Sequence, residues 1–278
     1  MNDRFADLHI HTYYSDSTAS PLEVVEEAKA FGLSCISIAD HDTVDAFPEA
    51  CAAADKVGLE VLPGVELSSE HHGKDIHILG YLFGMEKTPL IDKLQEMQDV
   101  RQSRMKKMVA KLYDMGIKDI DFDEVCGMTH SDAVGRLHLA KMLVKKGHVR
   151  TLDDAFIQYL GEGAAAYFPK YGQTPFEAID LIKRSGGVAV MAHPMLTQRD
   201  EIIPALVKAG LDGLEAYYPN CSMEVVNYYM GIAERRGLLV TGGSDAHGKA
   251  KTSTFIGKSY VSCEWVERLK ARAQHAGC

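Results

Sequence analysis

Short apolar runs, most of them closing on a histidine or a carboxylate, recur at both ends of this chain and constrain its fold more than any other feature. They occupy 5–11, 34–39, 59–65, 75–82, 187–192, 213–216 and 238–243. Runs of this length read as strands, and helical patterns separate them, which predicts βα units and a mainly parallel sheet or barrel. Ser20-Pro21 opens the first helix, carried by Leu22, Val25, Ala28 and Phe31, and Gly32 is placed to stop it. Further helices are expected over 43–57, 200–209, 223–236 and 265–273.

From about Leu90 to Met115 the period changes to one long amphipathic helix, and the chain stays helical, polar and patchily basic to about Arg184. The expected organisation is a discontinuous α/β barrel made of 1–85 and 185–278, with a helical insertion over 86–184. A chain of 278 residues can hold both. No fixed repeat and no low-complexity segment argues for a solenoid or a tail-driven binder.

Composition excludes several classes. The apolar share of 46% and charged share of 25% are ordinary for a globular domain. A net charge of -9 argues against a surface for duplex DNA or for anionic lipid. The first residues lack a signal-peptide pattern and no segment reaches a membrane span, so a cytoplasmic protein is expected. Cys35, Cys51, Cys126, Cys221, Cys263 and Cys278 include no CxxC pair and read as reduced thiols.

The chemistry gathers where strands end. In DLHIHT, His9 and His11 flank Ile10, and strand alternation points both imidazoles to one side. Asp16 follows in a Ser-rich turn, where a carboxylate is also an ordinary turn residue. The second strand runs into Asp40-His41-Asp42-Thr43, with Asp42 expected to cap the next helix. The third ends in Glu66, and the fourth carries His77 between Ile76 and Ile78, where a buried core histidine is the competing reading. Beyond the insertion, Val188 to Ala192 ends in His193-Pro194, and the last strand runs through Gly242-Gly243 into Asp245 and His247. Six of the twelve histidines and the carboxylates Asp16, Glu66 and Asp245 thus converge on one rim. Imidazole mixed with carboxylate suits Mn, Fe or Zn, and the set is too large for one ion, so two or three divalent ions are expected. Glu66 could bridge two of them, and such ions acidify water enough for hydrolysis near neutral pH.

Together DLHIHTYYSD, SIADHDT, PGVE, HILGY, AHP and GSDAH resemble the PHP (polymerase and histidinol phosphatase) family, over residues 7–247. The helical insertion resembles the branch with nucleoside 3',5'-bisphosphate phosphatases and the 5'-to-3' exoribonuclease RNase AM. The resemblance implies a distorted, TIM-like (β/α)7 barrel. It implies His9, His11 and Asp245 on a first ion, with Glu66 bridging. Asp16, His41 and His247 would hold a second, and His77 and His193 a third. It places Asp40 beside the ions for substrate contact or proton transfer, with His193 as the other candidate acid. Ser103, Arg104 and Arg136 would hold a phosphate that is not cleaved, arginine being suited to two oxygens at once; Arg101 reads as surface. Ser17 stands where many relatives have glycine.

These residues imply an enzyme, a metal-dependent phosphoric ester hydrolase. Its substrate would be a nucleoside 3',5'-bisphosphate losing its 3'-phosphate or a short 5'-phosphorylated RNA. Rivals are another PHP phosphatase such as histidinol phosphatase, a C-N amidohydrolase, and a noncatalytic PHP module. Tyr171, Tyr217 and Tyr218 could stack on a base or simply pack. Oligomeric state is not legible.

Overall fold

The computed structural model describes residues 4–131, 133–169, 172–250 and 253–276. The chain begins β1 (Phe5–Ile10), α1 (Pro21–Phe31), β2 (Cys35–Ile38), α2 (Phe47–Val57) and β3 (Glu60–Leu67). A small hairpin of β4 (Glu70–His71) and β5 (Lys74–Asp75) leads to β6 (Ile78–Tyr81). The helices α3 (Pro89–Asp114), α4 (Phe122–Cys126), α5 (Arg136–Lys145), α6 (Leu152–Ala155) and α7 (Pro175–Arg184) follow, with a π-helical turn at Phe156–Leu160. The rest is β7 (Val188–Met191), α8 (Pro194–Thr197), α9 (Ile203–Lys208), β8 (Gly213–Tyr217), α10 (Met223–Arg236), β9 (Leu239–Gly242), β10 (Val261–Ser262) and α11 (Cys263–Ala276).

The sheet runs in the order β10-β1-β2-β3-β6-β7-β8-β9. Its parallel pairs are β1/β2, β2/β3, β7/β8 and β8/β9, as the sequence rhythm predicted. β6 departs from that rhythm, lying antiparallel to both β3 and β7. The reason is local: a short hairpin, not a crossover helix, joins β3 to β6, and so short a link can only reverse the chain. The ring closes at one rim only, where Asp245 N–H donates to His9 O at 2.8 Å and His11 N–H to Ala246 O at 3.0 Å. The fold is a nearly closed, TIM-like α/β barrel.

Local sequence explains the elements. Ser20 caps α1 in a capping box with Glu23, a device worth about 1 kcal/mol, and Gly32 ends the helix at φ 93. Val24, Val25 and Ala28 of α1 are buried against β2 and α2, whereas Leu22 and Phe31, expected on that face, are exposed. α2 starts at Phe47, later than expected, because residues 40–46 serve the rim. Asp42 sits there at φ 55, outside helical space, and caps nothing.

The insertion has its own core, from Met105, Met108 and Leu112 of α3 through Leu139 and Leu143 to Ala166. α7 does not share it: Ala178, Ile179 and Ile182 pack with Val65, Ala189 and Met191 in the barrel core, as do Leu90 and Leu94 at the start of α3. The separate core therefore lies well inside the 86–184 boundary expected from the pattern. Among the described residues no helix is long and apolar enough to cross a membrane, and Cys35, Cys51, Cys221 and Cys263 carry free thiols, with Cys278 outside the described residues.

Candidate metal centre

Every histidine and carboxylate singled out for metal binding reaches one rim. β1 delivers His9 and His11, both fully or almost fully buried. β3 delivers Glu66, which is 1% exposed and lies at the centre. Its Oε2 is 3.3 Å from His9 Nε2, 3.4 Å from His11 Nε2 and 3.2 Å from His41 Nδ1. Its Oε1 is 2.8 Å from His77 Nδ1 and 3.0 Å from His193 Nε2. Asp245 Oδ1 lies 3.1 Å from His11 Nε2, and Asp16 Oδ1 lies 3.2 Å from His247 Nε2. Among the described residues, three groups of side chains could each surround an ion: His11, Asp16, His41 and His247; His9, His11 and Glu66; His41, Glu66 and His77.

His77 reaches this rim by a route the pattern did not predict. It precedes β6, so it stands at the amino end of a reversed strand, beside the carboxyl ends of its neighbours. Tight backbone approach completes the cluster: a Cβ on Gly243 would collide with the backbone of His9. Asp245 at φ 47 and His193 at φ 27 occupy left-handed backbone, a strain that sites of this kind retain. Ser17, in the glycine position, is buried; its N–H donates to Thr12 O at 3.2 Å, so the loop accommodates it.

The donor chemistry fits ions. His9 Nε2, both ring nitrogens of His11, His41 Nδ1, His77 Nε2 and His193 Nδ1 are buried without a hydrogen bond of good geometry, a cost that ligation would remove. Burial raises the Glu66, Asp16 and Asp245 carboxyls, yet the surrounding imidazoles hold all three well below their usual range. Burial pushes His41 down to about 3, so it is neutral, while His9 and His193 are raised by Glu215 and Glu66 against burial.

Several expectations need correction. Asp40, expected beside the ions for substrate contact or proton transfer, is engaged with the loop that follows β1. It is 1% exposed, and its oxygens accept Thr12 N–H at 2.7 Å, Thr12 Oγ1–H at 2.5 Å and the Ser15 hydroxyl. These bonds make it the anchor of the 12–17 loop that carries Asp16. Arg101 is not surface: its Nε donates to Asp42 Oδ2 at 2.8 Å and Nη2 to the same oxygen and to Ser68 Oγ. Local pattern reads Asp42 as a cap because a partner 59 residues away leaves no trace in it.

Ser103 is exposed and, at 100° per residue, lies roughly 160° round α3 from Arg101. Arg104 and Arg136 do converge. Their guanidinium carbons lie 5.9 and 5.8 Å from the Tyr167 ring centroid. Arg104 Nε donates to Phe168 O at 2.7 Å, while its Nη2 is buried without a partner. Burial, then Arg136 and Arg101, bring its pKa down to about 10, as expected where like charges meet without an anion. Tyr217 is half-buried, and Tyr218 donates its hydroxyl to Asp245 Oδ2 at 2.7 Å; Tyr171 lies outside the described residues.

Two residues escaped the sequence reading. Asp7 is buried and accepts Ser244 N–H at 2.9 Å and Gly257 N–H at 3.0 Å, tying β1 to the exit of β9; burial raises its pKa to about 6. Glu215 is buried in β8 and touches both His9 and His193. A carboxylate between Leu214 and Ala216 in an apolar strand was the available signal.

Known proteins resemble this chain in sequence and fold. A 5'-3' exoribonuclease of Haemophilus influenzae is 35% identical over 68% of this chain and 68% of its own. A 3',5'-nucleoside bisphosphate phosphatase of Chromobacterium violaceum is 29% identical over 90% of each. A solved structure of a candidate metal-dependent phosphoesterase from Bifidobacterium adolescentis superposes with TM-score 0.86 at 33% identity, covering 96% of both chains. Another, described as an amidohydrolase from Chromobacterium violaceum with bound sulfate and no metal, gives 0.83 at 28% identity, also over 96% of both. The profile of the PHP domain matches residues 7–166, more than half of the chain, and with these relatives it shows that the protein belongs to the PHP family.

Proposed function

We propose that this PHP protein is a metal-dependent phosphoesterase acting on a nucleotide. Its substrate would be the 3'-phosphate of a nucleoside 3',5'-bisphosphate, or a short 5'-phosphorylated RNA degraded from that end. The observation that carries the reading is Glu66, one buried carboxylate within 3.4 Å of five imidazoles. We place two or three ions of Mn, Fe or Zn type there. His9, His11, Asp245 and Glu66 would hold the first, and Asp16, His41 and His247 the second. His77, His193 and Glu66 would hold the third. Ions in such a site supply an acidified water and neutralise phosphoryl charge.

The chain's own residues do the rest. Asp40 keeps the Asp16 loop in place through Thr12 and Ser15. His193 offers Nε2 to the Glu66 cluster, and a nitrogen that ligates an ion cannot also donate a proton, so we assign it to ion binding. Arg104 and Arg136, flanking Tyr167, are suited to a phosphate that is not cleaved. The relatives named for nucleoside bisphosphates and RNA support that substrate class.

The test is phosphate release from adenosine 3',5'-bisphosphate, AMP, a short 5'-phosphorylated RNA and histidinol phosphate, with Mn and with chelator. Metal-dependent release from the bisphosphate with AMP intact is expected. Histidinol phosphate alone being turned over would reassign the substrate, and silence on all four with ions bound would redirect the search to C-N bonds or a noncatalytic role. Arg136→Ala should lower kcat/KM for the bisphosphate by roughly 10- to 100-fold, the loss of one charge-assisted contact of about 1.5–3 kcal/mol. Ion uptake should be unaffected.

Proton competition gives a second prediction. Glu215 and Glu66 raise the pKa values of His9 and His193 against burial, which favours the protonated imidazoles, so an incoming ion must compete with protons there. Apparent Mn affinity should therefore climb with pH up to those raised values and level off above them. Calorimetric titrations near pH 7 in two buffers of different ionisation enthalpy should differ in heat; identical heats would contradict the assignment.

A further inference from the structure

Glu215 is wholly buried between Leu214 and Ala216 of β8, where hydrophobic packing asks for no carboxylate. Both of its oxygens are committed. Oε1 is 2.9 Å from His9 Nδ1, and Oε2 accepts the backbone N–H of His193 at 2.8 Å. The rings of these two histidines lie almost parallel, 5.8 Å apart and 19° between planes, and come from opposite parts of the barrel, β1 and the exit of β7.

We propose that Glu215 is a positioning residue that holds two ion-binding positions in register, fixing the tautomer of His9 and the backbone of His193. The inference rests on the metal reading given above. An imidazole that binds an ion through Nε2 carries its hydrogen on Nδ1, and Glu215 Oε1 stands 2.9 Å from that nitrogen of His9 as its acceptor. That leaves the Nε2 lone pair of His9 aimed towards Glu66 Oε2 and Asp245 Oδ1, at 3.3 and 3.7 Å, buried and otherwise unengaged. His193 has a different need. It stands at φ 27 and ψ 57, a left-handed conformation unfavourable for histidine, and Pro194 after it further restricts its backbone. The bond from its N–H to Glu215 holds that conformation, and the conformation brings Nε2 to 3.0 Å from Glu66 Oε1.

Glu215→Gln separates this role from packing, because the amide keeps the shape but can accept from only one of the two donors. If its oxygen takes His193 N–H, its NH2 donates to His9 Nδ1 and drives the ring hydrogen onto Nε2, where ligation is blocked. If its oxygen takes His9, the NH2 opposes the N–H of His193. Either way one ligand leaves its place, the same tautomer logic by which an amide disables a catalytic triad.

The experiment compares the chelated proteins by thermal melting, then titrates each with Mn, reading free Mn by electron paramagnetic resonance. E215Q should keep a cooperative thermal transition, yet bind Mn about 10- to 100-fold more weakly in at least one position. Mn binding by E215Q with wild-type affinity and stoichiometry would overturn the inference while leaving the metal reading intact. A wild type that takes up no Mn would overturn the metal reading itself, and this inference with it. Should E215Q not fold, Glu215→Asp carries the test: its shorter carboxylate cannot span both donors, so weakened Mn binding supports the proposal and unchanged binding overturns it.

Discussion

Glu66→Gln should abolish ion retention and cut kcat/KM for the bisphosphate by about 10³ or more, the several kcal/mol that ions contribute to such hydrolyses. The geometry makes this the most damaging isosteric change available. Oε1 faces His77 and His193 while Oε2 faces His9, His11 and His41, so an amide must turn an NH2 donor on one of these imidazole groups. It also removes the charge around which these imidazoles gather. The β3 ladder to β2 and β6 does not involve the side chain, so circular dichroism of the chelated variant should match wild type. Retention of bound Mn, with activity within tenfold of wild type, would sink the Glu66-centred site.

Arg101→Ala should destabilise the protein by about 3 kcal/mol, because it strands a buried carboxylate whose compensating charge has been removed. Asp42 is 1% exposed, and its charge is met by Arg101 and by Ser68 N–H at 2.8 Å. For a chain of this size the melting temperature should fall on the order of 5–10 °C. A double-mutant cycle isolates the pair: adding Asp42→Ala to Arg101→Ala should cost less than it does in wild type. Strict additivity would mean that the pair contributes nothing. Burial raises the Asp42 carboxyl, but Arg101 and the Ser68 N–H more than offset it and hold the pKa down. A depressed carboxylate contributes stability above its unfolded pKa and loses it as pH falls through the folded one, so wild type and R101A should converge in acid.

The gathering of these histidines and carboxylates at one rim was legible because strand alternation and βα connectivity are local rules: HxH must share a face, and strand ends in such a barrel gather at one rim. The resemblance to PHP proteins rested on the same residues. What was not legible depends on pairings distant in sequence. Asp42 with Arg101, Asp40 with Thr12 and Ser15, and Glu215 with His9 and His193 each look locally like a cap, a site residue or a strand polar residue. The reversal of β6 was hidden for a related reason. Apolar periodicity gives a strand's faces but not its direction, and direction here was set by the short hairpin before it.

That reversal makes α3 a measuring rod. β6 ends at Tyr81, on the rim away from the histidines, so the chain must travel back before the insertion can contribute to the mouth. α3 makes the journey: Leu90 and Leu94 lie against the barrel core, and Arg101 meets Asp42 at the far rim. At 1.5 Å and 100° per residue, the distance and bearing of Arg104 from the histidine rim are set by how many residues separate it from Leu90. One residue added there turns the arginine about 100° around the helix axis. Length changes beyond Arg104 leave that bearing untouched.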